Sequence, residues 1–174
     1  MAFIVCGLGN PGSKYAGTPH NAGFAVVEHL VEDLGTSWSS KFGAQIATGK
    51  IRGEQIYFVK PLSFMNLSGG PLKQVAQYYK VAPEHIIVVH DDIDLEFGVI
   101  KTKIGGGNAG HNGLKSIQAA FGTPEFWRIR VGVGRDQGSP ADYVLRKFTG
   151  SRLKDFEMIV SDAANIVEDQ VNIN

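Results

Sequence analysis

Two short runs with no polar residue constrain this chain more than anything else in it. Phe3-Ile-Val-Cys6 and Ile86-Ile-Val-Val89 are wholly apolar, whereas a strand with one face in water alternates apolar and polar residues. Strands apolar on both faces belong to sheets covered by helices on both sides. The segments between them supply such helices. Residues 24–34 place Phe24, Val27, Leu30, Val31 and Leu34 on one stripe and stop at Gly35. Residues 71–80, 114–121, 140–148 and 151–167 also read as helices. Residues 45–51 and 55–59 flank Arg52-Gly53-Glu54 as a hairpin, and residues 99–104 and 127–133 alternate as strands. The pattern predicts an α/β fold, a single-domain mixed twisted β-sheet flanked by α-helices over residues 1–174.

With 43% apolar residues in 174, one domain has material for a sizeable core. Formal net charge is zero, so no global field draws the chain to nucleic acid or membrane. Locally, Lys101, Lys103, Lys115, Arg128 and Arg130 accumulate with Glu125 as the one acid among them. That run reads either as a basic patch or as a solvated charged surface. Cys6 is the single cysteine, which rules out intramolecular disulfides and cysteine-based zinc sites and fits a reducing cytoplasm. No stretch has the length or flanks of a signal peptide or membrane span.

Loops rich in glycine and asparagine follow the expected strands. They are Gly9-Asn-Pro-Gly12 with Thr18-Pro-His-Asn21, Phe64-Met-Asn66, His90-Asp91, and the stretch Gly105-Gly-Gly-Asn-Ala-Gly-His-Asn112. Open α/β sheets bind ligands at the carboxyl ends of their strands, so convergence would bring His20, Asp91, Asn10, Asn66 and Asn112 into one cleft. A histidine oriented by a carboxylate is a general-base pair, with His20 the base and Asp91 its partner. By spacing alone, His20 reads more simply as a helix cap and Asp91 as a strand terminus. The three amides suit an ester or amide carbonyl, and one could donate to a developing oxyanion, although each is also ordinary turn chemistry.

Other chemistries fit less well. No Gly-x-Ser-x-Gly elbow is present, Ser68 lying in Asn-Leu-Ser-Gly-Gly. Asp91, Asp92 and Asp94 offer oxygen ligands for Mg²⁺ but read more simply as a solvated acidic strand end. Gly7-Leu-Gly-Asn-Pro-Gly12 satisfies a dinucleotide-binding glycine pattern, yet Pro11, Gly17 and Pro19 keep a helix from starting at its third glycine.

Five motifs resemble the bacterial-type peptidyl-tRNA hydrolase family: Gly7-Leu-Gly-Asn-Pro-Gly-x-x-Tyr15, Thr18-x-His-Asn-Ala-Gly23, Lys60-Pro-x-x-Phe-Met-Asn-Leu-Ser-Gly69, His90-Asp-Asp-x-Asp94 and Gly105-Gly-Gly-x-x-Gly-His-Asn-Gly-Leu-Lys115. The resemblance spans residues 3–134. It implies a monomeric cytoplasmic enzyme, without cofactor or metal, that cleaves the ester joining a peptide to the 3′-terminal ribose of tRNA. Its partner would be peptidyl-tRNA, held at the acceptor end and the 3′ CCA, with no membrane involved. His20 matches the family's catalytic base and Asp91 its supporting carboxylate. Asn10, Asn66 and Asn112 match the amides around substrate and water, Tyr15 and Met65 match cleft-lining positions, and Lys103 and Arg130 match the pair on the tRNA 5′-phosphate. Pro19 stands where many relatives carry Arg, which bears on the approach of His20. The chain also ends at Asn174, sooner than many relatives, so a shorter last helix with fewer acceptor-end contacts is expected.

The mechanism this implies is attack by water deprotonated by His20, with an amide of Asn66 or Asn112 on the oxyanion. Asp91→Asn is expected to cost less than His20→Ala. Selectivity for N-acylated over free aminoacyl esters is attributed to a cleft of neutral amides, Asn10 nearest the ester, that resists a charged amine. The alternative from another class is a catalytically silent RNA-binding module.

Overall fold

A computed structural model describes residues 1–173, with side chains through residue 172. Seven strands form one sheet: β1 (Ala2–Gly7), β2 (Ser39–Lys41), β3 (Ala44–Ile51), β4 (Glu54–Pro61), β5 (Ile86–Asp92), β6 (Ile100–Ile104) and β7 (Trp127–Gly132). Their order is β2-β3-β4-β1-β5-β7-β6. The central four are parallel, while β2, β3 and β6 run antiparallel to their neighbours at the two edges. The expected mixed α/β fold is therefore present.

The helices are α1 (Ala22–Leu34), α2 (Gly69–Tyr79), α3 (Asn112–Phe121), α4 (Pro140–Val144) and α5 (Gly150–Ile173). The apolar run of β1 divides its side chains between two cores. Phe3 and Val5 pack with α1 and α5, whereas Ile4 and Cys6 pack with α2 and α3. That division is why β1 has no polar position. Cys6 is fully buried, and burial pushes its thiol up, away from the reactive thiolate.

Some local expectations change. Leu34 is 43% exposed because α1 turns off the core at its last residue, and Gly35 caps it in the left-handed region. The helix expected over residues 140–148 ends at Val144, since Phe148 instead donates its N–H to Gly17 O at 2.9 Å. The last helix extends beyond the expected span at both ends. Strand β2, three exposed residues on the sheet edge, has no apolar signal to reveal it.

Two glycines set how closely α1 approaches the sheet. A Cβ on Gly7 would lie 2.2 Å from Gly23 O, and one on Gly23 would lie 2.2 Å from Val89 O. The first helix thus starts in backbone contact with β1 and β5. The glycine pattern that suggested a phosphate loop serves helix–sheet packing.

From β1 the chain leaves through α1 on one face, and from β5 it proceeds to β6, α3 and β7 on the other side. Neighbouring strands whose chains depart in opposite directions leave a crevice at their carboxyl ends.

Candidate active site

That crevice is a cleft of about 590 Å³ lined by Asn10, His20, Met65, Asn66, His90, Asp91, Lys103, His111, Asn112 and Arg130, with further residues of the glycine-rich loop and α4. The expected convergence of loops has occurred. Tyr15 does not line it. It packs edge-on against Phe64, which does, at 6.5 Å between ring centroids.

His20 sits on a single 3₁₀ turn, Pro19–Asn21, whose first position suits proline because no N–H is needed there. Pro19 is buried in that turn, and His20 still reaches Asp91, with Nδ1 to Oδ2 at 2.8 Å. Asp91 comes from the end of β5 and is 3% exposed. Its other oxygen, Oδ1, lies 2.7 Å from Nε2 of His111, so one carboxylate holds two imidazoles.

Residue patterning did not single out His111. It caps α3: its Nδ1 accepts from Gly113 N at 3.1 Å and Leu114 N at 3.3 Å. A nitrogen accepting from main-chain N–H groups carries no proton of its own, so the proton of this imidazole is on Nε2 and points at Asp91. Burial works to raise the Asp91 pKa, but charge and hydrogen bonds from His111 and His20 outweigh it and hold it well below the ordinary carboxylate range. An ionised Asp91 accepts from Nδ1–H of His20, which in the neutral imidazole leaves Nε2 as the unprotonated nitrogen.

His90 lies beneath, wholly buried, with Nδ1 donating to Asp91 O at 2.8 Å. Burial, reinforced by His111, pushes it down to about 3. Its Nε2 is buried without a hydrogen-bond partner among the described residues.

The amides differ in their surroundings. Asn10 is buried, and its Oδ1 accepts from Met65 N at 2.7 Å. Asn66 and Asn112 are exposed on the cleft wall, on the 3₁₀ turn Met65–Leu67 and at the first position of α3.

The predicted basic patch changes composition. In the β6–β7 register Lys103 stands opposite Arg128 and Lys101 opposite Arg130, which sends all four from one face of the sheet. Arg128 is completely buried, donating to Gly106 O, Gly107 O, Pro124 O and Asn108 Oδ1, so it holds the glycine-rich loop and is no part of the surface. Lys103 and Arg130 do face the cleft. Burial, then Arg130 and Arg128, lower the Lys103 pKa. Arg130 donates through Nε to Asp92 at 3.0 Å.

Those contacts also answer the Mg²⁺ alternative. Asp91 engages two imidazoles, Asp92 engages Arg130 and Asp94 engages Arg135, so the three carboxylates do not converge. The donors that do converge are His20, Asp91 and His111, whose ligand atoms lie within 4.8 Å of one another. A cation there would displace the N–H that the cap fixes on His111, so this donor set fits hydrogen bonding better than metal.

The model of the peptidyl-tRNA hydrolase family matches residues 4–173. This chain belongs to that family. Peptidyl-tRNA hydrolases from Frankia alni and Mycobacterium tuberculosis are each 47% identical to it, over 95% of this chain and 86% and 89% of theirs. The crystal structure of the Acinetobacter baumannii peptidyl-tRNA hydrolase superposes with a TM-score of 0.86 at 36% identity, covering 98% of this chain and 91% of that one. A peptidyl-tRNA hydrolase complexed with N-propanol gives 0.82 at 34% identity. The peptidyl-tRNA hydrolase family is thus shown both by the motifs around the cleft and by the whole sheet. Among the described residues no helix is long and apolar enough to cross a membrane.

Proposed function

We propose that this member of the peptidyl-tRNA hydrolase family cleaves the ester between a peptide and the 3′-terminal ribose of tRNA, with His20 as general base. The observation that carries the reading is the 2.8 Å contact of His20 Nδ1 with Asp91 at the floor of the cleft. That contact turns the unprotonated Nε2 to the reacting water. As water attacks the ester carbonyl, Nε2 takes its proton, and the carbonyl electrons form an oxyanion beside the exposed amides of Asn66 or Asn112. Collapse breaks the bond to the ribose oxygen, which leaves with the proton from His20, and the peptide departs as its carboxylic acid. Lys103 and Arg130 take a phosphate of the tRNA acceptor end, and the unpaired CCA is gripped by stacking and edge contacts.

Hydrolysis of N-acetyl-aminoacyl-tRNA tests this reading and separates it from a silent RNA binder. His20→Ala should lower turnover by about 10²–10⁴-fold, the usual worth of a general base, with its melting temperature preserved. Near-normal turnover in that variant would remove His20 from the chemistry.

A further inference from the structure

Arg128 is completely buried, and no step of the mechanism above uses it. Its hydrogen bonds go to four neutral oxygens: Gly107 O at 2.8 Å, Pro124 O at 3.2 Å, and Gly106 O and Asn108 Oδ1 at 3.3 Å each. The centre of its guanidinium lies 4.4 Å from the centroid of the Phe126 ring. Burying a cation among neutral acceptors is costlier than burying an apolar side chain of similar size. In the β6–β7 register this cation also stands opposite Lys103, and like charges directly opposite destabilise a sheet. The stability of the sheet therefore does not ask for arginine here.

What its contacts organise is the glycine-rich loop. Gly105, Gly106, Ala109 and Gly110 all have positive φ, a conformation that is costly for the one residue among them with a side chain. A backbone of this shape has no ladder of its own to hold it. Gly105 N–H donates to Phe126 O at 3.1 Å, and the carbonyls of the next two residues accept from Arg128. Asn108 carries the network onward, its Oδ1 on Arg128 and its Nδ2 donating to Gln118 Oε1 of α3 at 2.9 Å.

Lys103 leans on the part of the loop so held. A Cβ on Gly106 would stand 3.0 Å from Lys103 Nζ and 3.4 Å from its Cε. The ammonium thus rests on the bare backbone of Gly106, whose carbonyl Arg128 holds. A lysine stem is flexible and its charged end strongly hydrated, so without a seat it spreads over many rotamers.

We infer that Arg128 is a positioning residue for phosphate recognition: by pinning Gly106 it seats the Lys103 ammonium in the cleft, where that ammonium meets the 5′-phosphate of the tRNA acceptor end. This rests on the hydrolase reading above. Arg128 itself touches neither the tRNA nor the reacting atoms. It acts through the fixed fork of its guanidinium, a geometry that a lysine ammonium does not reproduce.

The test uses one N-acetyl-aminoacyl-tRNA in two forms, with a 5′-phosphate or a 5′-hydroxyl. The ratio of kcat/KM for the two forms is measured in wild type, Arg128→Lys, Arg128→Met, Lys103→Ala and the Arg128→Lys, Lys103→Ala double variant, with melting temperatures recorded. Wild type should prefer the phosphorylated form by about tenfold, the scale of one charge-assisted hydrogen bond. Arg128→Lys keeps the charge but not the fork, so it should lose most of that preference, as should Arg128→Met, and mainly through KM. A general weakening of the fold lowers both forms alike and leaves the ratio standing. Once Lys103 is alanine, Arg128→Lys should reduce the ratio no further, because residues acting as a unit are non-additive. A preference kept by Arg128→Lys would make Arg128 a source of charge alone, and additive losses would give it a role apart from Lys103; either result overturns the inference. If the Arg128 variants do not fold, Gly106→Ala takes their place: it keeps Arg128 but sets a Cβ against Lys103 Nζ, and a preference that survives it overturns the inference. A wild type that cleaves both forms equally would remove phosphate recognition and the inference with it, whereas one inert on both would defeat the hydrolase reading.

Discussion

His111 donates from Nε2 to Asp91 at 2.7 Å because its other nitrogen is committed to the first turn of α3. This fixed donor changes what Asp91→Asn should do. An asparagine there has one oxygen and one NH₂, and the oxygen must turn to His111. The NH₂ then faces Nδ1 of His20, which becomes an acceptor, and the His20 proton moves to Nε2. No unprotonated nitrogen is left for water. Asp91→Asn should therefore fall by about 10²–10⁴-fold, as far as His20→Ala, and not less as sequence reasoning held. Asp91→Ala should retain more turnover than Asp91→Asn, since His20 is then free to choose its tautomer. The reverse order in single-turnover rates would contradict the assignment.

The two contacts of His111 are separable by substitution. His111→Asn retains an N-cap acceptor for α3 but is too short to reach Asp91, whereas His111→Ala loses both. Both lose the contact with buried Asp91, and we expect Ala to be less stable than Asn by about 1 kcal/mol, the typical value of a cap. Both should lower kcat and displace the acidic limb of the kcat/KM profile, because Asp91 loses a donor in each. An Asn variant with an unaltered profile would reduce His111 to a helix cap.

Lys103 and Arg130 should divide binding from chemistry. Lys103→Ala with Arg130→Ala is expected to raise KM for acylated tRNA far more than it lowers kcat. Removing one phosphate contact should flatten the log–log salt dependence of binding by about one unit. Filter binding over a salt series measures it, and an unchanged slope would place the tRNA elsewhere.

Acid stability should report His90. Its folded pKa is about 3 against an ordinary 6.5, so between those values the unfolded chain binds a proton that the folded one does not. Stability therefore rises with pH across this window and is lost as pH falls from 6.5. Asp91, held below the ordinary carboxylate range, adds loss in the same direction at lower pH. Denaturant midpoints between pH 6.5 and about pH 4 should fall in wild type and fall less in His90→Gln. Parallel slopes would mean that other groups dominate.

Periodic features of this chain were legible from residues alone. The doubly apolar β1 and β5, the α1 stripe and the hairpin of β3 and β4 depend on neighbours in sequence. Convergence of His20, Asp91 and the amides followed from a rule about strand ends. What stayed hidden depends on partners distant in sequence. Arg128 alternates like an exposed strand residue, yet the glycine-rich loop folds over it and takes its guanidinium. His111 directly precedes a helical pattern, a cap position that could have drawn notice, but its link to Asp91 spans 20 residues. Asn21 carries no periodic signal, and both its partners are main-chain atoms of Asn10.

The place of β1 in the sheet bears on how the chain emerges from synthesis. Its partners are β4 and β5, so β1 has neither neighbour until residues 54–61 and then 86–92 have followed. At roughly 5–20 residues per second, this wholly apolar segment waits for seconds without its sheet. Its early companion is α1, which follows directly and covers one of its faces. Slower elongation across residues 8–85 would prolong the interval in which β1 is open to misassociation, while slower elongation after β5 would not.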